Sequence, residues 1–351
     1  MKLNDLTTHA GEWLRGSGPL SDIVISSRVR LARNVGGFPF LARCTRSQRQ
    51  ALETKIRGAI FAANVAPRLL YVDLEQAPDL DRQLLVERHL ISKQHKDAEG
   101  ARGVAIGENE SVSIMANEED HLRIQVMRSG LQLEEAWQEI TGIDDRLESS
   151  LDFSFHPRFG YLTACPTNVG TGIRVSVMLH LPALKLTGEI EKVYRAARDM
   201  KLAVRGLYGE GTEATGDFYQ ISNQTTLGRA EEEIISEFRR QVIPKIIDFE
   251  QHARRALISE KTVALDDTVC RALGILRSAR LLKSEETLFL LSHVRMGVNL
   301  GRVKDVDINK INELFLLTRP AHLQKILGKR MDGDIRRAAR ADFIRARLNG
   351  N

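Results

Sequence analysis

Arginines recur at positions that strand alternation would place together on one face of a sheet. Successive strand side chains point to opposite sides. In Ile23–Leu31, Arg28 and Arg30 therefore oppose Val29 and Leu31. In Ile173–Leu181, alternate residues from Ile173 form an apolar set and leave Arg174, Ser176 and Met178 on the other side. In His121–Met127 the apolar face is Leu122, Ile124 and Val126, with Glu119, His121 and Arg123 opposite if the strand extends back to Glu119. In Lys201–Leu207, Leu202 and Val204 face a core and Arg205 faces away. A one-sided antiparallel sheet with a solvated charged face is the plain account of this pattern. Such faces usually mix Lys, Glu, Thr and Ser, however, and here the cations of the central strands are all arginine. Convergent guanidiniums repel one another unless an anion lies between them. A triphosphate would serve, each charge-assisted contact contributing roughly 1.5–3 kcal/mol. Neither Walker spacing nor G-x-G-x-x-G occurs, so a nucleotide would be held by side chains and not by a glycine loop.

Two loops add groups with chemistry. Cys165-Pro166-Thr167-Asn168-Val169-Gly170-Thr171-Gly172 is turn-rich and precedes the Arg174 strand; its cysteine reads either as a reactive thiol or as a small buried filler. Arg205-Gly206-Leu207-Tyr208-Gly209-Glu210-Gly211-Thr212-Glu213 is glycine-rich and carries carboxylates, the composition of a mobile flap. Taken alone, Glu210 reads as solvated loop charge.

The elements that must position these residues belong to a chain of 351 residues, 42% hydrophobic and 28% charged, room for one large domain or two smaller ones. No apolar run approaches the roughly 20 residues of a membrane span, and Met1–Gly11 lacks the basic-then-apolar order of a signal peptide. Three scattered cysteines, Cys44, Cys165 and Cys270, argue against a disulfide framework and for a reducing, cytoplasmic setting. Strand-like segments (23–31, 103–106, 111–115, 121–127, 173–181, 202–207 and 217–222) occur in neighbouring groups, with helical patterns at 47–62, 131–140, 188–200 and 229–255. The last contains Pro244, which should kink it or begin a new helix. From Leu257 every segment (266–282, 284–293, 309–318, 320–348) reads as helix. The expected fold class is α+β: a largely antiparallel sheet flanked by helices over residues 1–256, then an all-helical domain over 257–351.

At the arginine-bearing segments the sequence resembles the phosphagen (guanidino) kinase family, and within it the bacterial protein-arginine kinases. The matching strings are Ser26-Ser27-Arg28-Val29-Arg30-Leu31-Ala32-Arg33-Asn34, Asn117-Glu118-Glu119-Asp120-His121-Leu122-Arg123, Cys165 through Arg174, and Arg205-Gly206 through Glu210, in family order over about residues 20–255. The resemblance implies that Arg28, Arg30, Arg123, Arg174 and Arg205 grip the phosphates of ATP, with Mg²⁺ as the accompanying ion. The flanking Ser27, Val29, Val175, Ser176, Val177, Met178, Gly206, Leu207, Tyr208 and Gly209 belong to the same nucleotide site by that likeness. It further implies that His89 contacts the base, that Glu119 and Glu210 hold the acceptor guanidinium, and that Cys165 is the reactive cysteine beside it. Arginines nearby would favour its thiolate. Either glutamate could be the base.

Two departures from the metabolic members favour a protein substrate. Only 26 residues precede Ser27, where they carry a helical domain, and Met178 stands where they usually have histidine. The likeness thus implies exposed arginines of other proteins as substrates, with a kinase for free arginine or another small guanidino compound as the alternative. A catalytically silent anion-binding regulator is the reading from another class. The bacterial group is associated with marking proteins for Clp-type proteolysis, with stress control through a heat-shock repressor, with activator proteins and with homodimers.

The chain is formally +5, with 14 lysines and 37 arginines. Residues 319–351 hold nine Lys or Arg against three Asp, so the remainder is nearly neutral. The closing helix, 334–348, places Arg336, Arg337, Arg340 and Arg347 at helical spacing. It reads as a solvated basic face or as an anion site; without tyrosine or tryptophan among the cations, direct nucleic-acid binding is not expected. Protein-arginine kinases carry an R-D-x-x-R-A motif here that binds phosphoarginine. Arg336, Arg340 and Ala341 agree with it, whereas Arg337 replaces the aspartate, which implies an altered allosteric site.

Overall fold

The computed structural model describes residues 2–207 and 215–350. Its strands, in chain order, are β1 (Val24–Arg33), β2 (Leu69–Asp73), β3 (Gly103–Gly107), β4 (Val112–Ala116), β5 (Leu122–Ser129), β6 (Phe155–His156), β7 (Gly160–Tyr161), β8 (Ile173–His180), β9 (Leu202–Arg205) and β10 (Phe218–Asn223). Among the described residues, eight of them form one sheet in the order β2-β3-β4-β5-β1-β8-β10-β9, antiparallel throughout, and β6-β7 is a separate hairpin. The expected α+β class with an antiparallel sheet is what folds.

Register turns the alternation into rows across the sheet. Val29 of β1 lies opposite Val126 of β5 and Val175 of β8, and all three are fully buried. The neighbouring row, one residue on, runs Gln125, Arg30, Arg174. The valine face is covered by helices. Helix Leu133–Glu148 turns Leu133, Ala136, Ile140, Ile143 and Leu147 inward at the i, i+3, i+4 spacing of an amphipathic stripe and packs on β1 and β5. Helix Glu231–Glu237 packs on β8. A π-turn at Phe238–Val242 follows it, and Pro244 then sits in the first turn of helix Ile243–Glu260, where its missing N–H costs nothing.

The helices that follow residue 260 are Thr262–Ser278, Ser284–Asn299, Ile308–Leu317, Pro320–Ile326 and Gly333–Asn349. Ser284–Asn299 is central among them, and Gly297 explains how closely it packs. A Cβ there would stand 2.4 Å from Cγ1 of Val269, so only glycine admits helix Thr262–Ser278. This helical region is fastened to the sheet by a buried polar chain. Arg295 donates to the carbonyl of Asp22 (2.9 Å) and to Nδ1 of His180 (2.9 Å); His180 Nε2 donates to Ser292, and Ser292 donates to Asp217 (2.5 Å).

Strand β2, the helices Asp79–Glu87, Lys93–Asp97 and Pro182–Leu186, and the division of 320–348 into two helices around Gly328 (φ 66°) were not expected from the sequence. β2 is a half-buried edge strand whose short run, Leu-Leu-Tyr-Val-Asp, has no apolar/polar alternation, and pairing with β3 makes it a strand.

Candidate active site

The face opposite the valines is a cleft of about 770 Å³, and it gathers all five expected arginines. Arg30 faces Arg174 directly across β1 and β8. Arg28 lies opposite Ser176 and donates Nε to its hydroxyl (3.2 Å); Arg174 donates to Ser222 Oγ (3.2 Å). Arg123 enters from β5, and Arg205 from β9 opposite Gln220. A solvated sheet face is thereby ruled out. Burial, then the charges of Arg174, Arg123 and Arg205, pulls the Arg28 guanidinium down to about 10. Arg30 is pushed well below its ordinary value by burial and by Arg28, Arg123 and Arg174, with Glu118 as the opposing charge. Guanidiniums held charged in such a place are complementary to a polyanion before it arrives.

The turn between β4 and β5 supplies the carboxylates. Asn117 adopts a left-handed φ of 59°, and its amide donates to the carbonyls of Arg49 (2.9 Å) and Ala101 (2.8 Å). Asp120 accepts from Asn34 and from the Ala164 N–H, both at 2.6 Å, which ties this turn to the segment carrying Cys165. Arg123 spans two neighbouring carboxylates, donating to Glu118 (2.8 Å) and Glu119 (2.9 Å). Their environments separate them. Burial would raise Glu118, but Arg123 and the Ser92 hydroxyl (2.5 Å) outweigh it and hold it below the usual range. Glu119 is more exposed, yet burial and the charges of Glu118 and Asp120 raise its pKa against the pull of Arg123. Two carboxylates pushed apart in this way divide into a fixed anion and a proton acceptor. The strand starts at Leu122 and does not reach back to Glu119. His121 is correspondingly not on the arginine face: Nδ1 accepts from Val35 N–H (2.9 Å) and Nε2 donates to Pro39 O (3.0 Å).

Cys165 lines the cleft beside Thr167 and Asn168, its Sγ 3.0 Å from Thr167 Oγ1. Its loop is pinned from behind, where Thr226 donates to Val169 O (2.7 Å) and Arg33 to Thr171 O (2.8 Å). His89 occupies the far end, its ring edge-on to Trp13 at 4.6 Å. Burial first, then Arg28 and Arg319, lowers its pKa to about 3, so the imidazole is neutral. Met178 and Ser176 line a small recess beside it.

Other expected site residues are placed differently. The side chains of Val29, Val175 and Val177 are fully buried on the opposite face, and Ser27 donates away from the cleft to Gly130 O (2.8 Å). None of these four lines the cleft, a correction that alternation itself requires. Gly206 and the buried Leu207 follow Arg205. Tyr208, Gly209 and Glu210 lie outside the described residues. Sequence reasoning missed Glu118, Ser92, Lys93 and Gln125. Of these only Glu118 left a signal, as the neighbour of Glu119 in a run of carboxylates.

The closing helix does not present one solvated basic face. Arg340 is buried, donating Nε to Thr318 O (2.8 Å) and Nη1 to Leu282 O (2.9 Å), while its Nη2 has no hydrogen-bond partner among the described residues. Burial, then Arg336 and Arg319, lowers it to about 10. Arg336 donates to Met331 O (3.1 Å), Arg337 pairs with Asp334 (2.9 Å), and Ala341 is buried.

The sheet and the arginine cleft are those of a guanidino phosphotransferase, and comparisons agree. Residues 51–253 match the family described as ATP:guanido phosphotransferase, C-terminal catalytic domain, and residues 262–351 match the Protein-arginine kinase McsB C-terminal domain. A protein-arginine kinase of Halothermothrix orenii is 46% identical over 99% of this chain and 100% of its own length; one of Symbiobacterium thermophilum is 48% identical over 99% and 100%. Among solved structures, the duplicated taurocyamine kinase of Schistosoma mansoni with bound transition-state analogue components superposes with a TM-score of 0.62 at 29% identity, over 72% of this chain and 36% of that one. A lombricine kinase superposes at 0.57 and 26%, over 70% and 72%. The chain belongs to the protein-arginine kinases, a branch of the phosphagen kinase family of transferases. Among the described residues no helix is long and apolar enough to cross a membrane.

Proposed function

We propose that the protein transfers the γ-phosphoryl group of ATP to the guanidinium of arginine side chains in other proteins. The observation that carries this reading is the coexistence, in one cleft, of five arginines and a carboxylate with a raised pKa. In the transfer an N–P bond forms on the acceptor, the bond from the γ-phosphorus to the bridging oxygen breaks, ADP leaves, and the guanidinium loses one proton. Arg28, Arg30, Arg123, Arg174 and Arg205 hold the phosphates and neutralise charge on the transferring oxygens, the main task in such a reaction. Glu119 orients the guanidinium and accepts its proton, a role its raised pKa suits; Glu210 would be the second carboxylate by family likeness. Cys165 stands beside the acceptor and His89 meets the base. Mg²⁺, implied by family likeness as the ion accompanying ATP, would supply further charge neutralisation.

The same reading takes residues 1–256 as catalytic domain and 257–351 as a helical domain with a phosphoarginine-sensing site at Arg336, Arg337, Arg340 and Ala341. It includes cytoplasmic action that marks proteins for Clp-type degradation, stress-response control, an activator protein and a homodimer, all supported by family likeness. The deciding assay offers ATP with an arginine-rich protein and, separately, with free arginine, and measures acid-labile phosphate. Labelled protein is expected; label on free arginine alone would overturn the choice of substrate.

A further inference from the structure

Immediately before His89, two buried side chains reach from the sheet-bearing region into the C-terminal helices. The Glu87 carboxylate accepts from the backbone N–H groups of Ala321 (2.9 Å) and His322 (3.1 Å) and from His322 Nδ1 (2.8 Å). Arg88 donates Nε and Nη2 to Glu110 at 2.6 and 2.5 Å, Nη2 to the carbonyl of His9 (3.0 Å), and Nη1 to His322 Nε2 (3.1 Å). His322 therefore donates from Nδ1 and accepts at Nε2, a single neutral tautomer fixed by its two neighbours. Glu87, Arg88 and His322 are each fully buried, and none of them lines the cleft, so the transfer chemistry does not use them.

A buried ionic cluster is weak evidence for stability, because well-packed apolar side chains serve as well or better. What the cluster does fix is the path of the chain into His89. That residue has a left-handed φ of 60°, a conformation that persists in a non-glycine residue only when its surroundings over-determine it. From it the ring stands edge-on to Trp13 and the carbonyl accepts from Gln125 Nε2 (2.8 Å). Rotating the chain at Glu87 or Arg88 would swing the imidazole out of the cleft.

We infer that His322, acting through Glu87 and Arg88, is a positioning residue for His89, so that the C-terminal helical region sets nucleotide affinity from outside the cleft. The inference rests on the reading of His89 as a nucleotide contact. It is tested on the full chain by steady-state kinetics and ADP titration of three variants. His322→Ala is expected to raise the ATP KM and the ADP Kd roughly tenfold while kcat and the KM for protein substrate change less than about twofold. His322→Asn, whose amide replaces Nδ1 and keeps the bond to Glu87, is expected to recover most of the affinity. A folded His322→Ala with an unchanged ATP KM, even if it melts lower, makes the cluster merely structural and overturns the inference. If His322→Ala does not fold, His322→Asn and Arg88→Lys carry the test: a raised ATP KM in Arg88→Lys supports it, and wild-type values in both overturn it. His89→Ala separates the two levels. If it leaves the ATP KM unchanged, the nucleotide-contact reading fails and takes this one with it. If it raises the KM while the His322 variants do not, the positioning role alone fails.

Discussion

Replacing Arg28 by methionine should make the empty protein more stable and the enzyme worse. The fall of the Arg28 guanidinium to about 10 corresponds to about 3 kcal/mol held against its charged form by burial and by Arg174, Arg123 and Arg205. Methionine preserves much of the apolar stem and gives up the bond to Ser176, a loss of about 1 kcal/mol. The net expectation is a stabilisation of about 1–2 kcal/mol, seen as a rise of a few degrees in the melting temperature without ligand. Nucleotide reverses the order. At a concentration one hundred times its Kd, ADP should stabilise the wild type by about 2.7 kcal/mol. Losing one charge-assisted phosphate contact, roughly 1.5–3 kcal/mol, should weaken binding by about 10- to 100-fold and shrink that shift accordingly. Calorimetric melts with and without ADP, and with tripolyphosphate as a base-free polyanion, measure both halves. An Arg28→Met protein that melts lower than wild type when empty, or that keeps the full ADP shift, would refute the argument that unneutralised guanidiniums strain this cleft.

Two further outcomes follow from the site and the tail. Because burial raises Glu119 and the deprotonated carboxylate is the active form, kcat/KM should fall on acidification through a pKa above the ordinary glutamate value. Glu119→Gln should lose at least about 100-fold in transfer, keep ADP binding, and abolish that acid limb in whatever rate remains; an unaltered pH profile would assign the limb elsewhere. At the C-terminus, Arg336→Ala should abolish binding of a phosphoarginine peptide without altering the melting temperature by more than a few degrees, since among the described residues Arg336 makes one hydrogen bond, to Met331 O, where the buried Arg340 makes two. Equal peptide affinity in the variant would remove Arg336 from that site.

Much of the sheet was legible because its strands bury one face and alternate cleanly. Val29, Val126 and Val175 announce the buried row, and Arg28, Arg30, Arg123, Arg174 and Arg205 fall on the other side by parity. Parity could not say whether that other side met water, because nothing local records what will stand over a strand. Edge strand β2, with no alternation of its own, was invisible for the same reason: its partner defines it.

What the sequence determined by itself was therefore the kind of chemistry: which side chains share a face, and that arginines without a glycine loop suit a polyphosphate. Tertiary structure decided the roles. Glu118 and Glu119 are adjacent and identical in type, yet Ser92 and Arg123 hold one charged while burial and neighbouring carboxylates raise the other. Arg340 and Arg337 look alike in the closing helix, yet one is buried against the carbonyls of Thr318 and Leu282 and the other pairs with Asp334 in solvent. His322, far along the chain, reaches the segment leading to His89 only through the fold. The physical reason is common to all three: a charge's energy depends on the solvent and partners around it, and those are supplied by residues distant in sequence.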